Sequence, residues 1–193
     1  MVKSRPLSKE QLKTLINTTY FTKAQILTIF KKFQALDPDR IPSDMSTQVA
    51  QSVTVPKEVV IKSIPELQFN PFADRILYIF SYNRYIQPGA LAFYNYVDLY
   101  HFLDTKTDTS LKLFHAFRIF DVDNDGEISG PDCFECVDRL CDGMMTREET
   151  SKIYDNILDE CEQDGNGMVG FLEFETALTS CQEFRTSFSV RFP

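Results

Sequence analysis

Apolar residues recur at three- and four-residue spacing in several separate stretches, the pattern of helices that each bury one face. Ile26, Leu27, Ile29, Phe30 and Phe33 make one such face. It opens with Thr22-Lys-Ala-Gln25, a capping box in which the two polar side chains satisfy N–H groups that the first helical turn leaves unpaired. Ser8-x-x-Gln11 predicts an earlier, shorter helix in the same way. Asn70-Pro71 places a cap before a proline at the first helical position, and Phe72, Ile76, Leu77 and Phe80 follow at helical spacing. Leu113, Phe114, Phe117 and Phe120 run into a polar loop. Thr146-x-x-Glu149 caps a helix whose Ile153, Ile157, Leu158 and Cys161 lead into a second polar loop, and Phe174, Ala177, Leu178 and Cys181 leave it. Gly143 marks the end of the helix that exits the first loop. Only the two or three residues around Ile128 and Val169 read as strand. The pattern predicts a nearly all-α protein.

The two polar loops fit one template. In the first, Asp121, Asp123 and Asp125 stand at loop positions 1, 3 and 5, so that their carboxylates point at one centre. Gly126 at position 6 permits the sharp turn, Glu127 at position 7 offers its backbone carbonyl, and Ser129 at position 9 offers a hydroxyl or a bound water. Ile128 at position 8 is the apolar residue that pairs such a loop with another. A hard divalent cation needs this many oxygens to replace its hydration shell, and an acidic surface turn does not demand this spacing. Position 12 is Asp132, where a longer Glu usually supplies two oxygens. The shorter side chain lowers the coordination number and suits the smaller, octahedral magnesium ion as well as calcium, so a mixed Ca2+/Mg2+ site is expected. The second loop places Glu162, Asp164, Asn166 and Met168 at positions 1, 3, 5 and 7, Gly167 at position 6, Val169 at position 8 and Glu173 at position 12. Its bidentate Glu favours calcium. Glu162, normally Asp, must fold back to reach an ion, and Gly170 at position 9 leaves that corner to water. With three ligand carboxylates rather than four, weaker binding is expected here.

Two more helix-loop-helix units are expected in the N-terminal half, both without ligands. Residues 79–93 lie between two helical segments, and Leu91 sits where the pairing residue belongs, but no carboxylate precedes it. The stretch from Asp37 to Val55 is less regular; Asp37, Asp39 and Asp44 lack the spacing and the glycine of an ion loop and read as solvated. The expected organisation is an N-terminal lobe at residues 1–104, a C-terminal lobe at 105–182, and an extension at 183–193.

Composition narrows the function. With 28 acidic and 20 basic residues the chain carries a net charge of −8, which two divalent ions would halve. That balance argues against nucleic acid and for basic partners. The 193 residues, 43% hydrophobic with 17 Phe, suffice for two small lobes. No apolar run approaches the roughly 18–20 residues needed to cross a bilayer. Val2 stands where N-myristoylation needs glycine, so no direct lipid anchor is expected, and no hydrophobic stretch follows residues 1–6, so no secretory signal is expected. Five Cys read as reduced thiols, and Cys133-x-x-Cys136 lacks the second pair of a zinc site. His101 and His115 stand alone on predicted helices, and no catalytic constellation is visible, so the protein is expected not to be an enzyme. The amphipathic end from Phe184 to Phe192 is expected to lie in the chain's own apolar groove, because its three Phe would otherwise form an exposed apolar patch.

These features together resemble the calcium- and integrin-binding (calmyrin-like) family of EF-hand proteins, relatives of calcineurin B and the recoverin-like sensors. The resemblance rests on residues 19–26, on residues 64–76 with Ile64-Pro65-Glu66-Leu67 and Asn70-Pro71-Phe72, on Ala116-Phe117-Arg118-Ile119-Phe120-Asp121, and on residues 183–188; it spans nearly the whole chain. Asp at position 12 of the first loop is itself a family trait. The resemblance implies two lobes of paired EF-hands, silent N-terminally and ion-binding C-terminally, and a C-terminal segment that a partner can displace. It implies a cytoplasmic adaptor, peripheral to the membrane through its partner. That partner would be an amphipathic helix from a cytoplasmic segment of a membrane protein, of the integrin-tail or transmembrane channel-like mechanotransduction type. The alternatives are a calcineurin-B-like regulatory subunit of a phosphatase or kinase and a plain ion buffer, which the apolar tail disfavours. Glu162, Val2 and the insertion at residues 82–89 depart from the family pattern.

Overall fold

The computed structural model describes residues 6–179 and Cys181, and the predicted role of the segment from Phe184 to Phe192 falls outside them. The chain divides into two compact units, one ending at His101 and the other starting at Phe102.

The first unit runs α1 (Lys9–Thr19), α2 (Lys23–Leu36), α3 (Gln48–Gln51), β1 (Thr54–Val55), α4 (Lys57–Ser63), α5 (Pro65–Gln68), α6 (Ala73–Ile79), β2 (Leu91–Ala92) and most of α7 (Phe93–Leu103). Both predicted capping boxes form. Ser8 Oγ accepts the Gln11 N–H at 3.1 Å and Gln11 Oε1 accepts the Ser8 N–H at 2.7 Å; Thr22 and Gln25 reciprocate likewise at 3.3 and 2.9 Å. The apolar face of α2 packs on the start of α7, with Phe30 edge-on to Phe93 at 5.4 Å and Phe33 against Phe93 and Tyr96 at 5.6 and 5.3 Å. These rings are all buried.

Two details differ from the sequence reading. Asn70 does not start a helix at Pro71: its side chain accepts the Phe72 N–H at 2.8 Å and closes a turn, and α6 begins at Ala73. A second ladder also exists, with Thr54 paired to Ala92 and Val55 to Leu91. Val55 and Leu91 are fully buried. The pairing residue expected at Leu91 therefore has its partner at Val55, in a stretch whose sequence carries no loop signature.

The loop before β2 keeps its shape through its own polar side chains. Ser81 Oγ accepts the Gly89 N–H at 2.6 Å, and Asn83 Oδ1 accepts the N–H groups of Tyr85 and Ile86, each at 3.1 Å. Asp37 pairs with Arg40 at 3.5 Å and Asp44 accepts the Ser46 N–H at 2.8 Å, so these two carboxylates serve local turns.

The second unit contains α8 (Thr109–Phe120), β3 (Glu127–Ile128), α9 (Gly130–Cys141), α10 (Arg147–Cys161), β4 (Val169–Gly170) and α11 (Phe171–Thr179). Its core is Leu113, Ala116, Phe117, Val169 and Phe174, lined by Phe120, Ile128, Ile157, Leu158 and Phe171. Phe117 stands edge-on to Phe171 and Phe174 at 5.6 and 5.5 Å. α9 ends where Gly143 marks it: Cys141 is its last residue, and Asp142 and Gly143 both adopt the left-handed conformation (φ 52° and 71°). The fold is all-α, with paired helix-loop-helix units and two-residue ladders as its only strands among the described residues. Among those residues no helix is long and apolar enough to cross a membrane.

Candidate metal centres

The two polar loops stand side by side in the second unit, joined by the antiparallel ladder Glu127↔Gly170 and Ile128↔Val169. Each begins where a helix ends. The Asp121 N–H still bonds to the Phe117 carbonyl at 2.8 Å, and the Glu162 N–H to Leu158 at 3.0 Å, so position 1 inherits its direction from α8 or α10. Each then turns through two left-handed residues, Asn124 and Gly126 (φ 63° and 98°) in one, Gly165 and Gly167 (φ 79° and 74°) in the other. A Cβ at Gly126 would meet nothing within 4 Å, so the backbone torsion and not crowding is what calls for glycine.

In the first loop, carboxylate oxygens of Asp121, Asp123 and Asp132 lie within 4.8 Å of one another. Asp121 accepts the N–H groups of Asp125 and Gly126 at 3.1 and 3.2 Å. Asp132 reaches back across the loop to the N–H of Val122 at 2.9 Å and forward to that of Ser129 at 2.9 Å. Asp125 stands outside the cluster and accepts the Glu127 N–H at 2.9 Å. Burial pushes the Asp121 carboxyl above its usual range, with Asp132 and Asp125 adding to the rise against hydrogen bonds from Gly126 and Asn124. For Asp132 burial acts in the same direction, but bonds from the Ser129 hydroxyl and N–H and from the N–H groups of Val122 and Asp123 outweigh it and hold the carboxyl low.

The second loop repeats the arrangement. Oxygens of Glu162, Asp164 and Glu173 lie within 4.8 Å of one another. Glu173 closes the loop as Asp132 does, accepting the Gln163 N–H (position 2) at 2.6 Å and the Gly170 N–H (position 9) at 2.8 Å. The Gly170 and Gln163 bonds hold its carboxyl below the usual range. Asn166 accepts the Met168 N–H at 2.7 Å and donates to Asp164 at 3.2 Å. Glu162 Oε1 is sealed from solvent and has no hydrogen-bond partner among the described residues. The longer acid at position 1 thus folds inward. An all-oxygen donor set with an unsatisfied buried carboxylate oxygen fits a hard divalent cation.

Two features escaped the sequence reading. The Tyr154 hydroxyl donates to the Gly167 carbonyl at 2.9 Å and lies 3.3 Å from that of Ile128, so one side chain of α10 touches both loops. A tyrosine on the helix entering the second loop was the available signal. The Glu127 side chain, read only as the bearer of a backbone carbonyl, leans over the ladder toward the second loop. Burial raises its pKa first, followed by Asp164 and Glu173 of that loop and then Asp125 and Asp121 of its own. Cys133 and Cys136 are buried on α9, and Cys136 Sγ lies 3.9 Å from the Phe120 carbonyl. Burial pushes the Cys136 thiol up to about 12, so it packs as a neutral group.

No protein-family model matches the chain. Curated proteins do. It is 33% identical to calcium and integrin-binding family member 2 of Drosophila melanogaster, over 95% of each chain. It is 31% identical to family member 3 of Homo sapiens over 98% of each, and 32% identical to human family member 2 over 95% of each.

Proposed function

The chain belongs to the calcium and integrin-binding family, and from that membership we propose that it is a non-enzymatic, calcium-binding adaptor for a membrane protein. The observation that carries this reading is the pair of laddered loops, each with three carboxylates converging within 4.8 Å. The names of its relatives speak of calcium and integrin, and the loops here have the donors for the first of these. Asp121, Asp123, Asp125 and Asp132, with the Glu127 carbonyl, would hold one ion; Glu162, Asp164, Asn166 and Glu173, with the Met168 carbonyl, would hold the other. A bound cation supplies the positive charge that lets these carboxylates share one centre, and it draws α8 to α9 and α10 to α11.

The first site takes magnesium as well as calcium on this reading. Asp132 is one methylene shorter than Glu173 yet closes the same two backbone gaps, at positions 2 and 9. The first loop is therefore drawn in further, which suits the smaller ion. The partner is an amphipathic helix from a cytoplasmic segment of a membrane protein, of integrin-tail or channel type, and it holds the adaptor at the membrane from the cytoplasmic side. Exposed Phe114 on α8 and Leu172 on α11 supply apolar surface on two helices that pack together.

Calorimetry with both cations tests the ion sites. Two bound calcium ions are expected; Asp121→Ala should weaken one site and Glu173→Ala the other, each by on the order of 100-fold in affinity. Unchanged binding in both variants would refute the ligand assignment. A synthetic peptide of an integrin α cytoplasmic tail should bind in calcium and weaken in chelator; association with a phosphatase catalytic subunit in its place would favour the regulatory-subunit alternative.

A further inference from the structure

The Glu127 carboxylate occupies an unusual place. Its Cα pairs with that of Gly170 in the ladder, so a side chain on this face of β3 crosses over Gly170. A Cβ built on Gly170 would lie 3.2 Å from Glu127 Oε2, 3.8 Å from Oε1 and 3.6 Å from Glu173 Oε2. Glu127 thus fills the space that a side chain at position 9 of the second loop would take, beside the acid at position 12. Its Oε2 is sealed from solvent and has no hydrogen-bond partner among the described residues. Burying one carboxylate oxygen unpaired beside another carboxylate is unfavourable in the charged form, and at neutral pH a shared divalent cation relieves it.

We infer that the Glu127 carboxylate is a cross-loop ligand of the second site, standing in for the side chain that Gly170 lacks. The inference rests on the proposal that the second loop binds calcium. It brings that site to four carboxylates (Glu127, Glu162, Asp164 and Glu173), the number that the first loop carries in Asp121, Asp123, Asp125 and Asp132. It also ties the sites together. The Glu127 carbonyl belongs to the first loop and its side chain to the second, so filling the first fixes the strand that presents a ligand to the other. The coupling is reciprocal, and filling is cooperative.

The test is calcium calorimetry on the full chain carrying Glu127→Gln, which keeps the size and hydrogen-bonding capacity of the side chain. The second loop is read in an Asp121→Ala background and the first in a Glu173→Ala background, with circular dichroism as the check on folding. Affinity at the second loop should fall about tenfold, with little change at the first. The double variant Glu127→Ala/Gly170→Asp, which moves a carboxylate onto position 9 itself, should recover most of the loss. If the chain binds two ions and Glu127→Gln leaves the second loop unchanged, the inference fails while the proposed function stands. Equal weakening of both loops also overturns it, since that is the effect of a distant charge. A second loop that takes no calcium in the unsubstituted chain overturns both.

Discussion

At the scale of single residues, position 12 is where the two loops differ in reach, with Asp132 in one and Glu173 in the other. Asp132, one methylene shorter than Glu173, accepts the N–H groups of Val122 and Ser129, each at 2.9 Å. Asp132→Glu lengthens the reach by one methylene and should raise the ratio of calcium to magnesium affinity at the first site by about tenfold or more, read by calorimetry with each cation. An unchanged ratio would remove position 12 as the selector. Gly126→Ala acts on the backbone instead: at φ 98° the added Cβ meets no neighbour but leaves the torsions strained, so the loss should be about 1–2 kcal/mol in the ion-free chain. The convergence of Asp121 and Asp123 was legible in the sequence because a tight turn with fixed spacing aims those side chains inward; Asp125, read with them, accepts the Glu127 N–H instead, and Asp132 takes its place in the cluster. The lean of Glu127 was not legible. Its direction depends on which residue faces it in the ladder, and Gly170 lies more than forty positions further along the chain.

At the scale of elements, the helix starts were the most legible part, because a capping box is a local bargain between residues three apart. Thr146 Oγ1 accepts the Glu149 N–H at 3.3 Å and Glu149 accepts the Thr146 N–H at 2.9 Å, as the spacing implied. Thr146→Ala should lower unfolding stability by about 1 kcal/mol, seen as a lower urea midpoint with an unchanged slope. The β1–β2 ladder was illegible for the opposite reason. The carboxylates and glycines that advertise an ion loop are missing between Asp37 and Val55, and the pairing apolar residues alone carry no signal. The loop before β2 is held by its own side chains, Ser81 and Asn83 accepting from the N–H groups of Gly89, Tyr85 and Ile86. Tyr154 has a different task, touching both C-terminal loops through one hydroxyl. Tyr154→Phe keeps the ring beside Gly130 and removes that bond, so it should reduce the cooperativity of calcium binding more than the affinity of either site.

At the scale of the whole molecule, the family and the all-α, paired-loop plan were legible because the loop template repeats and the capped helices around it are periodic. The expected place of the final apolar segment lies outside the described residues. The net charge of −8 makes the whole chain sensitive to pH, and the loops set the direction. Without ions, burial and neighbouring carboxylates raise Asp121 above 3.8 and Glu127 above 4.5. The folded chain then holds those protons more tightly than the unfolded one, so their contribution to stability grows as pH falls through the raised values. Asp132 and Glu173 are lowered from 3.8 and 4.5. Their contribution is present at neutral pH and is lost as pH falls through the lowered values. The ion-free melting temperature should therefore rise as pH falls from neutral through the raised values and drop as it passes the lowered ones. Excess calcium at about 100 times its Kd should add about 2.7 kcal/mol per site at pH 7, and protons competing for the same oxygens should erase that gain on acidification. Scanning calorimetry in chelator and in calcium should then give melting curves that converge as pH falls, from opposite directions. An ion-free melting temperature that declines steadily from pH 7 would contradict the setting from which the prediction starts, Asp121 buried and Glu127 crowded by carboxylates of both loops.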